Sequence, residues 1–227
     1  LQRAWIAIRW YYKKCDISNN IKLYVGKMEL VISDHIDIIA PEQIMSPADI
    51  MDFTEGDVSG PFIGRQDLYT RWSMKVTTGR PMLEENASIP CQVCDKAYNP
   101  DKDEQRHCHG CNSWLHSRCL ESLPKGSTRM KEVIVEMGKE TKLSLDTDFI
   151  KLLCIPTLRG KSHGVVGNGL QTSWIWEELH QAQKARKEDI GIAWKTQVGP
   201  DTMNQANKSH VYCRCSMCER QGREWYL

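Results

Sequence analysis

The stretch CHGCNSWLHSRC, Cys108–Cys119, holds five cysteines or histidines in twelve positions. Three more such residues, Cys91, Cys94 and His107, lie just upstream. Read outward, the order is Cys91-x2-Cys94, thirteen residues, Cys108-x2-Cys111, four residues, His116-x2-Cys119. A closing pair, Cys215-x2-Cys218, follows only after a further 95 residues. Zinc takes four thiolate or imidazole ligands in a tetrahedron, and each C-x-x-C turn presents two thiolates to one side of a metal. Eight ligands in this order make two sites. The usual sharing is cross-braced: Cys91 and Cys94 with His116 and Cys119, and Cys108 and Cys111 with Cys215 and Cys218. Sites closed in this way leave no coordination position for a substrate and are structural. In YCRCSMC, Cys213 is a spare candidate for the closing pair. The spacing does not need His107 or His109, which are expected as surface loop residues.

The rest of the composition bounds the function. Thirty basic and 29 acidic residues leave a net charge of +1. That balance argues against binding nucleic acid by bulk electrostatics, and no sequence-specific DNA binding is expected. No apolar run of about 18 residues exists to span a membrane. The ten cysteines are paired rather than evenly spread, which favours zinc in a reducing compartment over a disulfide framework. Cys15 and Cys154, outside the metal pattern, are expected as buried thiols. No nucleophile–base pair stands out, so no enzyme is expected.

Around the motif the chain changes character. Residues 1–78 are rich in strand signals. AWIAIRWYY alternates, with Ile6, Ile8, Trp10 and Tyr12 on one face, and the opening LQRAWIAIRWYY reads as a strand already under way. MELVISDHIDII and EQIMSPADIMDF are further β-type segments, and GPFIGRQDLYTRWSMKV is placed to close a small sheet. Residues 79–90 read as a linker broken by Gly79, Pro81 and Pro90. The segment 120–212 reads as a helical insertion, with helices in TDFIKLLCI and in TSWIWEELHQAQKARKED, where Ile175, Leu179 and Ala182 recur on one face. HQAQKARK reads as a solvated face. GVVGNG lacks phosphate-loop spacing and is expected to form turns or to lay backbone against the N-terminal half.

Four cysteines, one histidine and three cysteines, with Trp114 two residues before the histidine, resemble a PHD finger. A RING finger places its histidine fourth, which disfavours a ubiquitin-ligase reading. In the N-terminal half, Arg9-Trp10-Tyr11-Tyr12, then Ser33, His35 and Asp37, then Phe62, Arg65 and Tyr69 resemble a BAH domain, the bromo-adjacent homology module. BAH followed by PHD resembles chromatin readers of plants and fungi, and Tyr98-Asn99-Pro100-Asp101 matches the plant form. The resemblance implies an α+β protein. A small β-rich BAH domain, a partial β-barrel lacking its first strands, spans 1–78. A cross-braced PHD finger spans 91–227, with the insertion at about 120–212 and two structural zinc ions. It further implies a non-enzymatic nuclear reader of methylated histone H3 tails, acting in transcriptional repression with a chromatin-modifying complex.

Trimethyllysine keeps its charge but has no hydrogen to donate, and aromatic boxes recognise it by cation–π attraction. Trp10 and Tyr12 would supply two walls, with a third upstream in related BAH readers. His35 and Asp37 would hydrogen-bond the peptide. The preferred mark by resemblance is trimethylated lysine 27. The alternatives are recognition of methylated lysine 4 by the PHD finger, with Tyr98 and Trp114 as walls and the polar Gln105 as the third side, and a zinc-stabilised interaction scaffold presenting Trp174 and Trp176.

Overall fold

The computed structural model describes residues 4–76, 82–84 and 88–227. The parts of the expected linker at 79–81 and 85–87 lie outside the described residues, as do residues 1–3. Strands β1 (Ile6–Lys13) and β2 (Glu29–Ile39) run antiparallel, joined through a short helix α1 (Asn19–Lys22). Strand β3 (Met51–Asp52) and strand β4 (Tyr69–Lys75) follow, and β4 runs parallel to both β2 and β3. Strand β5 (Met82–Leu83), inside the expected linker, pairs antiparallel with β4. The sheet order is β1-β2-β4-β3, curled as a half-barrel. Its core joins Ile17, Ile21 and Val25, around α1, to Val31, Trp72 and Met74.

Two sequence expectations give way here. EQIMSPADIMDF is not an extended strand: a 3-10 turn covers Pro41–Gln43, and only Met51–Asp52 pairs. Pro47 has no N–H to give a ladder, so this segment cannot form a regular strand. Cys15 is exposed rather than buried. It sits in the turn that ends β1, where its thiol faces the Asp16 carboxylate.

The metal motif is built on a hairpin of β6 (Glu104–Cys108) and β7 (Ser113–His116). Asn112 turns the hairpin with φ of 53°, a left-handed conformation that asparagine tolerates better than most residues. The insertion leaves and returns through one stem. Strand β8 (Glu121–Ser122), just after Cys119, pairs antiparallel with β10 (Cys213–Arg214), just before Cys215. This stem lets a long excursion leave the finger without separating its ligands.

Between the stem strands lie α2 (Arg129–Glu140), α3 (Thr147–Leu153), strand β9 (Thr157–Gly160), α4 (Gly169–Lys184) and α5 (Pro200–Ala206). Asp146 caps α3, its carboxylate accepting from the Asp148 and Phe149 backbone N–H groups, which satisfies donors the helix cannot. The expected apolar face of α4, Ile175, Leu179 and Ala182, is buried with Met130, Ile134, Phe149, Leu153 and Trp194. The basic end of that helix is exposed, as is His180. Trp176 is not a presented surface: it is buried against His109 and Trp225. A last helix, α6 (Ser216–Arg220), closes the metal module.

His107 is likewise not a loop residue, whereas His109 does lie in the turn between β6 and β7. The insertion covers the hairpin, so that His107 is buried and His109 half-buried. His107 lies on β6 against Trp114, with ring centres 5.1 Å apart, and its Nε2 pairs with Asn112 Oδ1 at 3.1 Å. His109 stacks on Trp176 at 4.6 Å, with Nε2 2.8 Å from the Thr157 hydroxyl. Burial pushes His107 down to about 4 and His109 well below the ordinary histidine range.

The N-terminal sheet and the finger meet through Tyr98-Asn99-Pro100-Asp101. Tyr98 is fully buried among Phe53, Ile63, Tyr69, Val165 and Val166. The Asn99 side-chain amide donates to the Leu23 carbonyl at 2.8 Å, and Asp101 accepts from the Lys27 backbone N–H at 2.7 Å. The glycine-rich loop lays its backbone against the N-terminal half, with Val165 N–H donating to Ile63 O at 3.1 Å. At the loop's start Gly160, at φ of +98°, lies close to the finger, where a Cβ would sit 2.1 Å from the Asp103 carbonyl oxygen.

Candidate functional site

The eight expected metal ligands gather in two groups, Cys91, Cys94, His116 and Cys119, and Cys108, Cys111, Cys215 and Cys218. Within each group the donor atoms lie within 4.8 Å of one another. A tetrahedral zinc with bonds of about 2.3 Å to sulfur has ligand–ligand edges of about 3.8 Å. The Cys108–Cys218 and Cys111–Cys215 sulfurs stand 3.6 and 3.7 Å apart, and Cys94 Sγ lies 3.4 Å from His116 Nδ1. The donor set and its spacing therefore fit zinc, and each group can hold one ion. Cys213 is not in either group; its thiol faces the Ser122 hydroxyl instead.

The surroundings of the ligands fit the same conclusion. The backbone N–H of His116 points at Cys91 Sγ and that of Cys218 at Cys215 Sγ, both at 3.4 Å, contacts that favour thiolate. His116 Nε2 faces an Asp103 carboxylate oxygen at 3.4 Å, the outer partner that orients a metal-bound imidazole. The crowded sulfurs cannot share charge evenly. Contacts with Cys108 and Cys215 pull Cys111 down to about 2, while contacts with Cys111 and Cys215 push Cys108 far up. A dication at the centre resolves that conflict by holding all four as thiolates.

Above the finger lies an aromatic pocket that the sequence indicated only in part. Tyr98 and Trp114, the expected cage walls, are both buried, and the space between them is filled by Arg159. Its guanidinium carbon is 3.9 Å from the Trp114 ring centre and 4.4 Å from that of Tyr98. Nε and one terminal nitrogen donate to Gln105 Oε1 at 2.9 and 2.7 Å, and the other terminal nitrogen donates to the Glu55 carbonyl oxygen at 2.7 Å. Burial lowers the Arg159 pKa to about 10, so it stays charged at neutral pH. Beside it, Arg71 meets Glu29 with two nitrogens at 3.0 Å and Glu55 at 2.7 Å. Arg71 thus meets both buried glutamate carboxylates, while Arg159 reaches only the Glu55 backbone, and the four desolvated charges sum to zero. Tyr98 and Trp114 are therefore not an open cage.

The N-terminal sheet holds the second aromatic group. The β1–β2 register slips once: Arg9 faces Ile36 but Tyr11 faces Ile32, so Ser33, Asp34 and His35 bulge opposite Trp10. The Ser33 hydroxyl donates to the Trp10 carbonyl at 2.8 Å and accepts from the His35 backbone N–H at 3.2 Å. Bulges re-aim side chains, and this one brings the His35 ring to Trp10 and Tyr12. Ring centres are 6.4 Å from Trp10 to His35 and 6.3 Å from Tyr12 to His35. Tyr12 Oη and His35 Nδ1 share a hydrogen bond of 2.7 Å. Trp10 is 40% exposed, so this group is open to solvent, unlike the Arg159 pocket. Asp37 lies two residues further along β2, exposed, its Oδ1 accepting from the Ile38 backbone N–H at 2.8 Å.

Fold and ligands together define a cross-braced, two-centre Cys/His module docked on a curled β-sheet. Two curated proteins of Arabidopsis thaliana are similar to the chain. Chromatin remodeling protein EBS is 30% identical over 112 residues, which cover 49% of this chain and 46% of EBS. Chromatin remodeling protein SHL is 26% identical over 117 residues, covering 52% of this chain and 50% of SHL. The chain thus spans about half the length of these relatives. No family model matches it.

Proposed function

We propose that this protein is a nuclear chromatin reader. In this reading a BAH sheet at residues 1–78 binds a methylated histone H3 tail, and the zinc-held finger of 91–227 braces it. The observation that carries the reading is the solvent-open convergence of Trp10, Tyr12 and His35 at the β1–β2 bulge. Three rings around one exposed point suit a methylammonium, which is recognised by aromatic faces rather than by hydrogen bonds. In this reading His35, its Nδ1 held by Tyr12, adds a third ring, and its Nε2 remains for the hydrogen bond to the peptide expected of it. Asp37, on the same strand, would accept from the peptide backbone. The similarity to two chromatin remodeling proteins supports a role on chromatin.

Trimethylated lysine 27 is the mark the resemblance favours, with repression as the outcome. Lysine 4 recognition by the finger is disfavoured because Arg159 fills the space between Tyr98 and Trp114. The test is a binding panel of the zinc-loaded protein against H3 peptides carrying lysine 4 or lysine 27, each unmodified and trimethylated. The reading predicts binding to trimethylated lysine 27 alone. Equal binding to all four peptides, or to none, contradicts it.

A further inference from the structure

Strand β9 is the third strand of the finger's sheet, in the order β7-β6-β9. It runs antiparallel to β6, with Glu104 opposite Gly160, Gln105 opposite Arg159, Arg106 opposite Leu158 and His107 opposite Thr157. Strand addition to an exposed edge is a standard way of binding an extended peptide: the backbone gives affinity, and a side-chain pocket gives specificity. Here both parts are present. The backbone partner is the β6 edge. The pocket is made by the Trp114 and Tyr98 faces with the Gln105 amide oxygen and the Glu55 carbonyl oxygen. The occupant comes from 54 residues away along the chain from Gln105.

We propose that the finger's peptide-reading edge is closed by the chain's own insertion, with β9 as an internal ligand and the Arg159 guanidinium as its cation. The inference concerns the finger and stands apart from the Trp10 site. Three features fit a ligand better than ordinary packing. Arg159 touches no carboxylate directly, so its charge is met by three aromatic faces, Trp114, Tyr98 and, at 5.7 Å, Phe53, and by two amide-type oxygens, as a recognised cation would be. The donor fork is bidentate toward one acceptor, which fixes orientation as well as charge. The turn after it is set by backbone: Lys161 N–H donates to the Asp103 carbonyl at 2.9 Å, next to Gly160. The closed edge also ties three parts together, since the guanidinium reaches β7 through Trp114, β6 through Gln105 and the N-terminal half through Glu55. The finger is thereby turned from a reader into a brace.

Nitrogen-15 NMR of the full zinc-loaded chain tests this. In the wild type, the Arg159 Nε–H signal should be displaced by the ring currents of Trp114 and Tyr98 and should exchange slowly with solvent. The Thr157–Gly160 amides should be protected like those of β7. An H3 peptide trimethylated at lysine 4 should leave the Trp114 indole signal unmoved. Rapid exchange along 157–160, or a Trp114 signal that titrates with this peptide, overturns the proposal. Arg159→Ala should open the pocket and raise affinity for the lysine 4 peptide by about tenfold or more, the scale of one desolvated cation–π contact. Guanidinium ion at low millimolar concentration should raise the melting temperature of this variant and not that of the wild type. If the alanine variant does not fold, the amide exchange of 157–160 and the Trp114 titration in the wild type still decide the proposal. A folded variant with two zinc ions and no gain in peptide binding contradicts the pocket's role as a receptor. The Trp10 indole signal, read in the same spectra, separates these outcomes from failure of the sheet site.

Discussion

The Ser33 hydroxyl donates to the Trp10 carbonyl at 2.8 Å across the β1–β2 bulge. That bond holds three residues of β2 opposite one residue of β1 and sets where the His35 ring points. Ser33→Ala removes it without touching any ring. A buried hydrogen bond of this kind is worth about 1 kcal/mol, so methyl-peptide affinity should fall by about fivefold while the fold persists. Peptide titration beside thermal melting separates the two effects.

Tyr12→Phe keeps the ring and removes the bond to His35 Nδ1. His35 then loses its orientation but not its place. Affinity should fall modestly, by less than in His35→Ala, where a ring is lost outright. If Tyr12→Phe proves the more damaging of the two, the hydroxyl, not the ring, makes the contact, and a methylammonium is the wrong ligand.

Metal content gives a sharp contrast between neighbouring cysteines. The wild type should carry two zinc ions per chain by elemental analysis. Cys215→Ser should lose the second ion and destabilise the stem of β8 and β10, whereas Cys213→Ser should keep both, because its thiol only faces Ser122. Chelation should unfold the finger, since structural zinc contributes about 10 kcal/mol or more to such modules. Acidification should act in the same direction, because thiolate ligands must give up the metal as they protonate.

Arg71→Met should be among the most damaging single changes. It leaves Glu29 and Glu55 buried with their cation removed. Breaking a buried pair costs about 3–5 kcal/mol, and urea denaturation should register a shift of that size. Burial disfavours the charge of Arg71, but Glu29 and Glu55 outweigh it and raise its pKa. The stability it brings is therefore constant through the neutral range and is lost only as pH rises through that raised folded-state pKa.

The sequence carried the metal ligands openly, because thiolates and imidazoles at fixed spacing have few other uses. The buried face of α4 at Ile175, Leu179 and Ala182 was legible from period alone. Arg159 was not, because nothing near it in TLRG announces a partner. Gln105 and Glu55 lie 54 and 104 residues away, and only the folded chain brings them together. The one available signal is a lone arginine after the apolar run LLCIPTL, a position where a charge must find partners or stay in water. For the same reason Tyr98 and Trp114 read as an open cage. The bulge opposite Trp10 was equally hidden, since alternation in β1 and β2 suggests an even ladder. His107 was misplaced because the insertion that buries it lies far along the chain.

The most direct test of the account is calorimetric titration of the zinc-loaded chain with H3 peptide trimethylated at lysine 27, for the wild type, Trp10→Ala and Trp114→Ala. The wild type should bind, and Trp10→Ala should abolish that binding. Folded, zinc-loaded Trp114→Ala should keep that binding, because its ring faces Arg159 rather than solvent. Binding that survives Trp10→Ala, or that is lost only in a folded, zinc-loaded Trp114→Ala, would contradict it.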